Sequence, residues 1–417
     1  MRWKFFVSLA FIFLCTFLGI SYYKRVCYAP YLTVIGFANM SDGIGRQSVE
    51  IMDAMKDYVS VGFRPTSSSD YKDVPPSIQK IMKKKRSKLG KILIYEDLFY
   101  PLSYQFFQRK FDLKRKDQIR FAYSMFESSQ IPKLWVHNLN LYFDAVIVPD
   151  EYHIQVYQDS GVTLPIFVLP LGLNLKPLLD EPIKIAAHSP FVFANFSTCI
   201  SRKNHADLIQ AFYEAFGDSP DVTLWINCKY SRENLFNVLK KQIQDLGVHN
   251  ILLTDHCYDN PTYIQNFHKI DCYVSLAQSE GFSIQPREAM AMGIPCILSD
   301  NTAQSTVCKS GLVTPISCPI QEIAYYEHFQ DICGWRAGVD KEKAVKALKD
   351  MYHRYHDHIL NAQQRRLWAS HYDYAELRPL YLSLIKPKKV LLGKENSLHK
   401  DLLITNSPSL YEKYKNL

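Results

Sequence analysis

Three short stretches set glycines, cations and carboxylates at the ends of apolar runs, where a phosphorylated, hydroxyl-rich ligand could be held. The first is Asn39-Met-Ser-Asp-Gly-Ile-Gly-Arg46. Gly43 and Gly45 would let backbone N–H groups approach a phosphate at the positive end of the helix that follows. A Gly-x-Gly turn of this kind is equally a tight connection between strand and helix. The second is Phe196-Ser-Thr-Cys-Ile-Ser-Arg-Lys-Asn204. Arg202 and Lys203 sit by a helix N-terminus, a place unfavourable to cations unless an anion lies between them and the dipole. Their bland reading is a pair of solvated surface cations. The third runs from Ser279 to Pro295, with Glu280 in a loop and Glu288 entering the next helix. Both carboxylates can accept hydrogen bonds from sugar and ribose hydroxyls, and the N–H groups of Ser283 and Ile284 can face a diphosphate. Glu288 could equally be a first-turn carboxylate serving the helix dipole.

The elements that must position these residues alternate. β-Branched and aromatic runs at 31–37, 58–63, 91–95, 120–126, 144–148 and 166–169 read as strands, and amphipathic stretches separate them. The proline-bearing segment 173–190 interrupts this pattern, and a second series follows with strands at 191–194, 222–226, 251–254, 272–275 and 294–299. Such alternation predicts two parallel sheets covered by helices, with a hinge between them and a cleft at their ends. The expected units are an anchor at 1–25, one lobe at 26–175, a second at 176–370, a helix crossing back at 371–390 and a tail at 391–417.

The 417 residues are 47% hydrophobic and 22% charged, enough for two cores. The net charge of +8 favours anionic partners, but no zinc spacing or RNA-recognition signature accompanies it, so no nucleic-acid partner is expected. No metal site is expected either. Residues 5–23 are almost wholly apolar, with basic residues on both sides and no small-residue cleavage site, which predicts an uncleaved membrane anchor. Residues 74–88 set Lys83, Lys84, Lys85 and Arg86 beside Ile78, Ile81 and Met82. They form either a basic amphipathic helix for anionic lipid or a solvated lysine-rich one. Cys228, Cys272 and Cys296 fall in expected strands as free thiols, which argues for a reducing compartment. The sequons at Asn39 and Asn195 adjoin the candidate site and are read as chance.

The pattern Glu280-Gly-Phe, Glu288-Ala-Met, Gly293-Ile-Pro resembles the Glu, seven residues, Glu signature of retaining GT-B glycosyltransferases, particularly family 4, the glycosyltransferase group 1 type. Arg202-Lys203-Asn204 resembles that family's phosphate motif, and Asp42-Gly-Ile-Gly-Arg46 its N-terminal glycine loop. Three motifs in the right order are far more specific than any one of them. Residues 125–135, 144–149 and 169–174 add to the likeness. Ser283 where the family often has Gly, Gln285 where it often has Pro, and Leu171 where a His is common depart from the pattern on the donor-sugar side.

The resemblance implies an α/β GT-B fold of two Rossmann-like domains facing across a cleft, here with an N-terminal membrane anchor. It implies that Glu288 binds the donor ribose, Glu280 the transferred sugar, and Arg202 with Lys203 the diphosphate; Gly43, Gly45, Ser283 and Ile284 complete the donor site. The expected activity is metal-independent, retaining transfer from a nucleotide diphosphate sugar, with no cofactor, to a membrane-linked glycan or glycolipid. Glu127 and Glu96 are acceptor-side candidates for acid or base. Membrane lipid is an expected partner, and the catalytic part is placed on the cytoplasmic face, with a Golgi-type lumenal placement as the alternative. The rival reading is a catalytically inactive protein of this fold that binds sugar nucleotide or lipid.

Overall fold

The computed structural model describes residues 14–20, 29–40, 42–84, 88–99, 117–231, 234–327, 329–385 and 407–415. The first lobe is a six-stranded sheet of β1 (Leu32–Gly36), β2 (Val61–Pro65), β3 (Ile92–Glu96), β4 (Ile119–Tyr123), β5 (Ala145–Val148) and β6 (Ile166–Val168). The order is β2-β1-β3-β4-β5-β6 and every pairing is parallel. β1, β3, β4 and β5 are buried along their whole length, which is why their sequences run apolar without alternating.

The second lobe repeats the plan with β7 (Phe191–Thr198), β8 (Val222–Lys229), β9 (Ile251–Thr254), β10 (Cys272–Ser275), β11 (Cys296–Ser299) and β12 (Thr314–Ile316), ordered β12-β11-β10-β7-β8-β9 and again parallel. In each sheet the chain reverses its direction of winding once. The reversals lie between β1 and β3 and between β7 and β10, so the loops leaving those strands flank a crevice where ligands of such sheets bind. The three sequence motifs leave β1, β7 and β10.

Helix Tyr374–Ser383 packs on helix Gly43–Met55 of the first lobe although it follows the second. Tyr381 fixes it there: its hydroxyl receives hydrogen bonds from Gln47 Nε2 (2.8 Å) and Gly172 N (2.8 Å) and donates to Pro170 O (3.0 Å). Pro379 lies inside this helix without ending it.

Two expectations change, and the anchor is described only in part. The tail at 391–417 contains helix Pro408–Lys415, which docks: Leu410 is buried, Lys413 pairs with Asp144 at 2.6 Å and Tyr414 Oη donates to Leu384 O at 2.6 Å. In helix Pro76–Lys83, Ile78 and Met82 are buried in the first-lobe core and Ile81 packs against it. The apolar face that lipid would need is therefore spent inside the protein; Lys85 and Arg86 lie outside the described residues. Of the expected anchor at 5–23, only 14–20 is described, as helix with Phe17 and Leu18 turned outward. Among the described residues no helix is long and apolar enough to cross a membrane.

One element was not expected. β13 (Ile320–Tyr326) and β14 (Asp331–Gly338) form an antiparallel ribbon after β12. It leaves the second lobe and lies against the first, where Tyr326 stacks 4.8 Å from Phe126 and Phe329 meets Trp135 at 5.7 Å.

Candidate functional site

Asp42 caps helix Gly43–Met55, its Oδ1 accepting from the N–H groups of Ile44 (2.9 Å) and Gly45 (3.0 Å). Those donors are thus taken by a carboxylate, which corrects the expectation that Gly45 offers its N–H to a phosphate. Gly45 is required for packing instead, since a Cβ there would lie 2.6 Å from Asn39 N. Gly43 does line the cleft, facing Ile284 across it.

Arg202 and Lys203 occupy a short 3-10 turn, and Asn204, with φ 57°, turns the chain into helix His205–Phe216. They reach Glu280 from β10's loop: Lys203 Nζ lies 2.5 Å from Oε1 and Arg202 Nη1 3.3 Å from Oε2. Arg202 Nη2 also meets Glu127 Oε1 of the first lobe at 2.7 Å. Residues expected to hold the diphosphate, the sugar and the acceptor therefore share one charge cluster. Burial would raise the Glu280 carboxyl, but Lys203 and Arg202 outweigh it and hold it below the usual range, so it stays ionised.

Ser283 precedes helix Ile284–Ala291 with φ 66°, the left-handed region that explains the glycine common at this point. Its Oγ donates to Gln304 Oε1 at 2.8 Å. The helix has no side-chain cap, so its first N–H groups remain available to an anion beside Arg202 and Lys203. Arg287 braces the loop from beneath. It is fully buried, donates to Ser283 O (3.0 Å) and Phe282 O, and lies over the Phe282 and Tyr372 rings at 3.9 and 4.3 Å.

Glu288 faces an adjoining recess lined by Gly43, Asn227, Lys229 and Tyr258. Its Oε1 accepts from Arg46 Nη1 (3.0 Å) and its Oε2 from Tyr263 Oη (2.7 Å). Each carboxylate oxygen keeps a lone pair for a hydroxyl. Arg46, Tyr263 and Arg287 were missed as site residues: Arg46 was visible only as the end of the glycine loop, and the other two have no motif of their own. The ribbon adds Tyr325, Tyr326, Glu327, Phe329 and Arg336 to the cleft wall.

Glu96 is not brought to the site. It is 2% exposed, lines neither recess, and burial pushes its carboxyl well above the usual range. β3 is buried along its whole length, Glu96 at its end included. Cys228, expected as a free thiol, is joined to Cys199 across β7 and β8, and so drops out of the case for a reducing compartment. Asn195 is buried and donates to Val274 O at 2.6 Å, which closes that sequon to modification in the folded chain.

Residues 181–316 match the profile of the family Glycosyl transferases group 1. A curated relative, the putative glycosyltransferase ORF313 of Acidianus filamentous virus 1 (isolate United States/Yellowstone), is 29% identical over 142 residues. That stretch is 31% of this chain and 44% of the relative, under half of its length. Anabaena Alr3699/HepE, solved in complex with UDP-glucose, shares the fold with a TM-score of 0.62 at 10% identity, over 86% of this chain and 100% of that one. The glycosyltransferase from Rickettsia africae ESF-5 does so with a TM-score of 0.59 at 15% identity, over 87% and 100%. The second lobe thus carries a segment similar to the glycosyl transferases group 1 family over residues 181–316, and the chain shares the two-lobed GT-B fold of these structures.

Proposed function

We propose that the protein transfers a sugar from a UDP-sugar to a membrane-linked glycan or lipid, with retention at the anomeric carbon and without a metal ion. The observation that carries this reading is the convergence of Arg202, Lys203, Glu280 and the uncapped end of helix Ile284–Ala291 on one cleft. Alr3699/HepE, which shares the fold, binds UDP and UDP-glucose, and this suggests the donor class. Retention is carried over from the family resemblance.

Glu280 and Glu127 neutralise the two cations. An arriving diphosphate takes Arg202 and Lys203 as partners, which frees the Glu280 oxygens for sugar hydroxyls. As the anomeric bond breaks, negative charge grows on the departing diphosphate, and the cations with the helix N–H groups stabilise it. Glu288, held by Arg46 and Tyr263, takes the ribose hydroxyls. Glu127 is the acceptor-side carboxylate nearest the reacting centre. The segment at 5–23 is read as a membrane anchor, with the catalytic part on the cytoplasmic face and a Golgi-type lumenal placement as the alternative.

The test uses purified full chain with a panel of nucleotide sugars, following UDP release in the presence of a chelator and the product anomer by NMR. UDP release with retained configuration is expected. Failure to bind any UDP-sugar, or an inverted product, overturns the reading.

A further inference from the structure

The ribbon has two faces of different character. Its inner face docks on the first lobe through small residues: Ala324, Cys333 and Gly334 are buried, and Ser129 ties the strand down, accepting from Trp335 N at 2.8 Å and donating its own N–H to Trp335 O at 3.2 Å. Its outer face presents two cross-strand pairs, Ile323 with Trp335 and Tyr325 with Ile332. These four are 58%, 49%, 50% and 58% exposed. An exposed apolar face of this kind marks a contact surface.

Two relationships say what it contacts. Tyr325 belongs to both surfaces, being on the outer face and also lining the cleft that holds Glu127 and Arg202. The ribbon is also wired to the donor loop, since Ala337 N donates to Gln278 O (3.0 Å) and Gln278 N to Arg202 O (2.8 Å). The apolar strip thus starts at the cleft mouth and leads away from it.

We propose that this outer face binds the apolar chain of the acceptor, an uncharged alkyl or prenyl tail whose sugar end lies in the cleft beside Glu127. This deepens the glycosyl-transfer reading and rests on it. Isoleucines supply area without hydrogen-bonding groups, which suits a hydrocarbon chain better than a second sugar. Glu322, Glu327 and Asp331 edge the ribbon with negative charge, which disfavours simple adsorption to an anionic bilayer.

The test measures binding of monomeric hexyl, octyl and decyl glucosides to the full chain by calorimetry, below their aggregation concentrations. The dissociation constant should fall several-fold for each pair of methylenes. In the Ile323→Ser/Ile332→Ser double variant that dependence should flatten, while UDP affinity and melting temperature stay parental. The proposal is overturned by affinity independent of chain length, by equal chain dependence in the variant, by tighter binding of a glucose oligomer to the same face, or by a dimer that the substitutions dissolve. Parental protein that binds the alkyl series but not UDP would instead sink the donor reading and leave the ribbon's chain site standing.

Discussion

Arg46 Nη1 lies 3.0 Å from Glu288 Oε1, joining helices that belong to opposite lobes through residues 242 positions apart in sequence. The contact crosses the cleft at the carboxylate expected to read the ribose, so one guanidinium both orients Glu288 and holds the lobes at working distance. Replacing Arg46 by Met keeps the bulk and removes the charge. A charge-assisted hydrogen bond of this kind contributes about 1.5–3 kcal/mol, so UDP should bind roughly ten- to a hundred-fold more weakly by calorimetry. Parental affinity in Arg46→Met would show that Glu288 needs no such partner.

Next to this pair, burial raises the Glu50 carboxyl, and Arg46 pulls it back only in part, leaving it at about 8 against an ordinary 4.5. The folded state therefore holds a proton that the unfolded chain releases. That contribution to stability is complete below 4.5 and is lost as pH rises towards 8, by about 1.4 kcal/mol per pH unit at most. Melting temperatures between pH 5 and 9 should decline in the parent, and Glu50→Gln should remove that part of the slope. An unchanged slope in the variant would place the proton elsewhere.

Much of this fold was legible because parallel strands buried on both faces announce themselves as short apolar runs, as at 272–275, which matches β10 to the residue. The same double burial hid the direction of Glu96, because a strand without alternation gives no inside and outside to read. The ribbon was illegible for a different reason. Ala324 and Cys333 face inward while Ile323, Tyr325, Ile332 and Trp335 face outward, so the pattern gives no buried side to read, and what holds the ribbon is a partner surface on the other lobe. Arg202, Lys203, Glu280 and Glu288 could be named from motif spacing, but their partners Glu127, Tyr263 and Arg46 come from distant segments that only folding brings close.

Glu96 offers a direct check on that burial. A protonated carboxyl enclosed within the first lobe is matched in shape and charge by Gln, so Glu96→Gln should keep turnover within about threefold of the parent and change stability modestly. A fall of tenfold or more in kcat, with donor affinity intact, would return Glu96 to the chemistry.

Gly334 controls the ribbon. Its φ is 72°, and a Cβ there would come within 2.1 Å of Ser129 Oγ and 3.1 Å of Gln130 N. Gly334→Ala should lift the ribbon's Ser129 end off the first lobe and raise the acceptor KM strongly, with a much smaller loss of UDP affinity passed on through the Ala337–Gln278–Arg202 hydrogen bonds. The two readouts are acceptor KM and UDP calorimetry on the same preparation. Joint loss of both would mean that the ribbon supports the whole cleft rather than its acceptor side.

Arg202 and Lys203 bear on the reaction itself. Each pairs with Glu280, passes to the donor diphosphate on binding and holds it more strongly as charge builds on the leaving group, so their contribution grows from ground state to transition state. Arg202→Ala or Lys203→Ala should therefore lower kcat by about a hundredfold or more, the scale seen when one preorganised donor to a developing anion is removed. Glu288→Gln should mainly raise the donor KM, because its ribose contact is equal in both states. Glu127→Gln separates electrostatics from acid or base work: it frees Arg202 of a competing carboxylate, so donor binding should tighten even if transfer slows. Circular dichroism checks that all four remain folded, and near-parental kcat in both cation variants would end the assignment of transfer to this cleft.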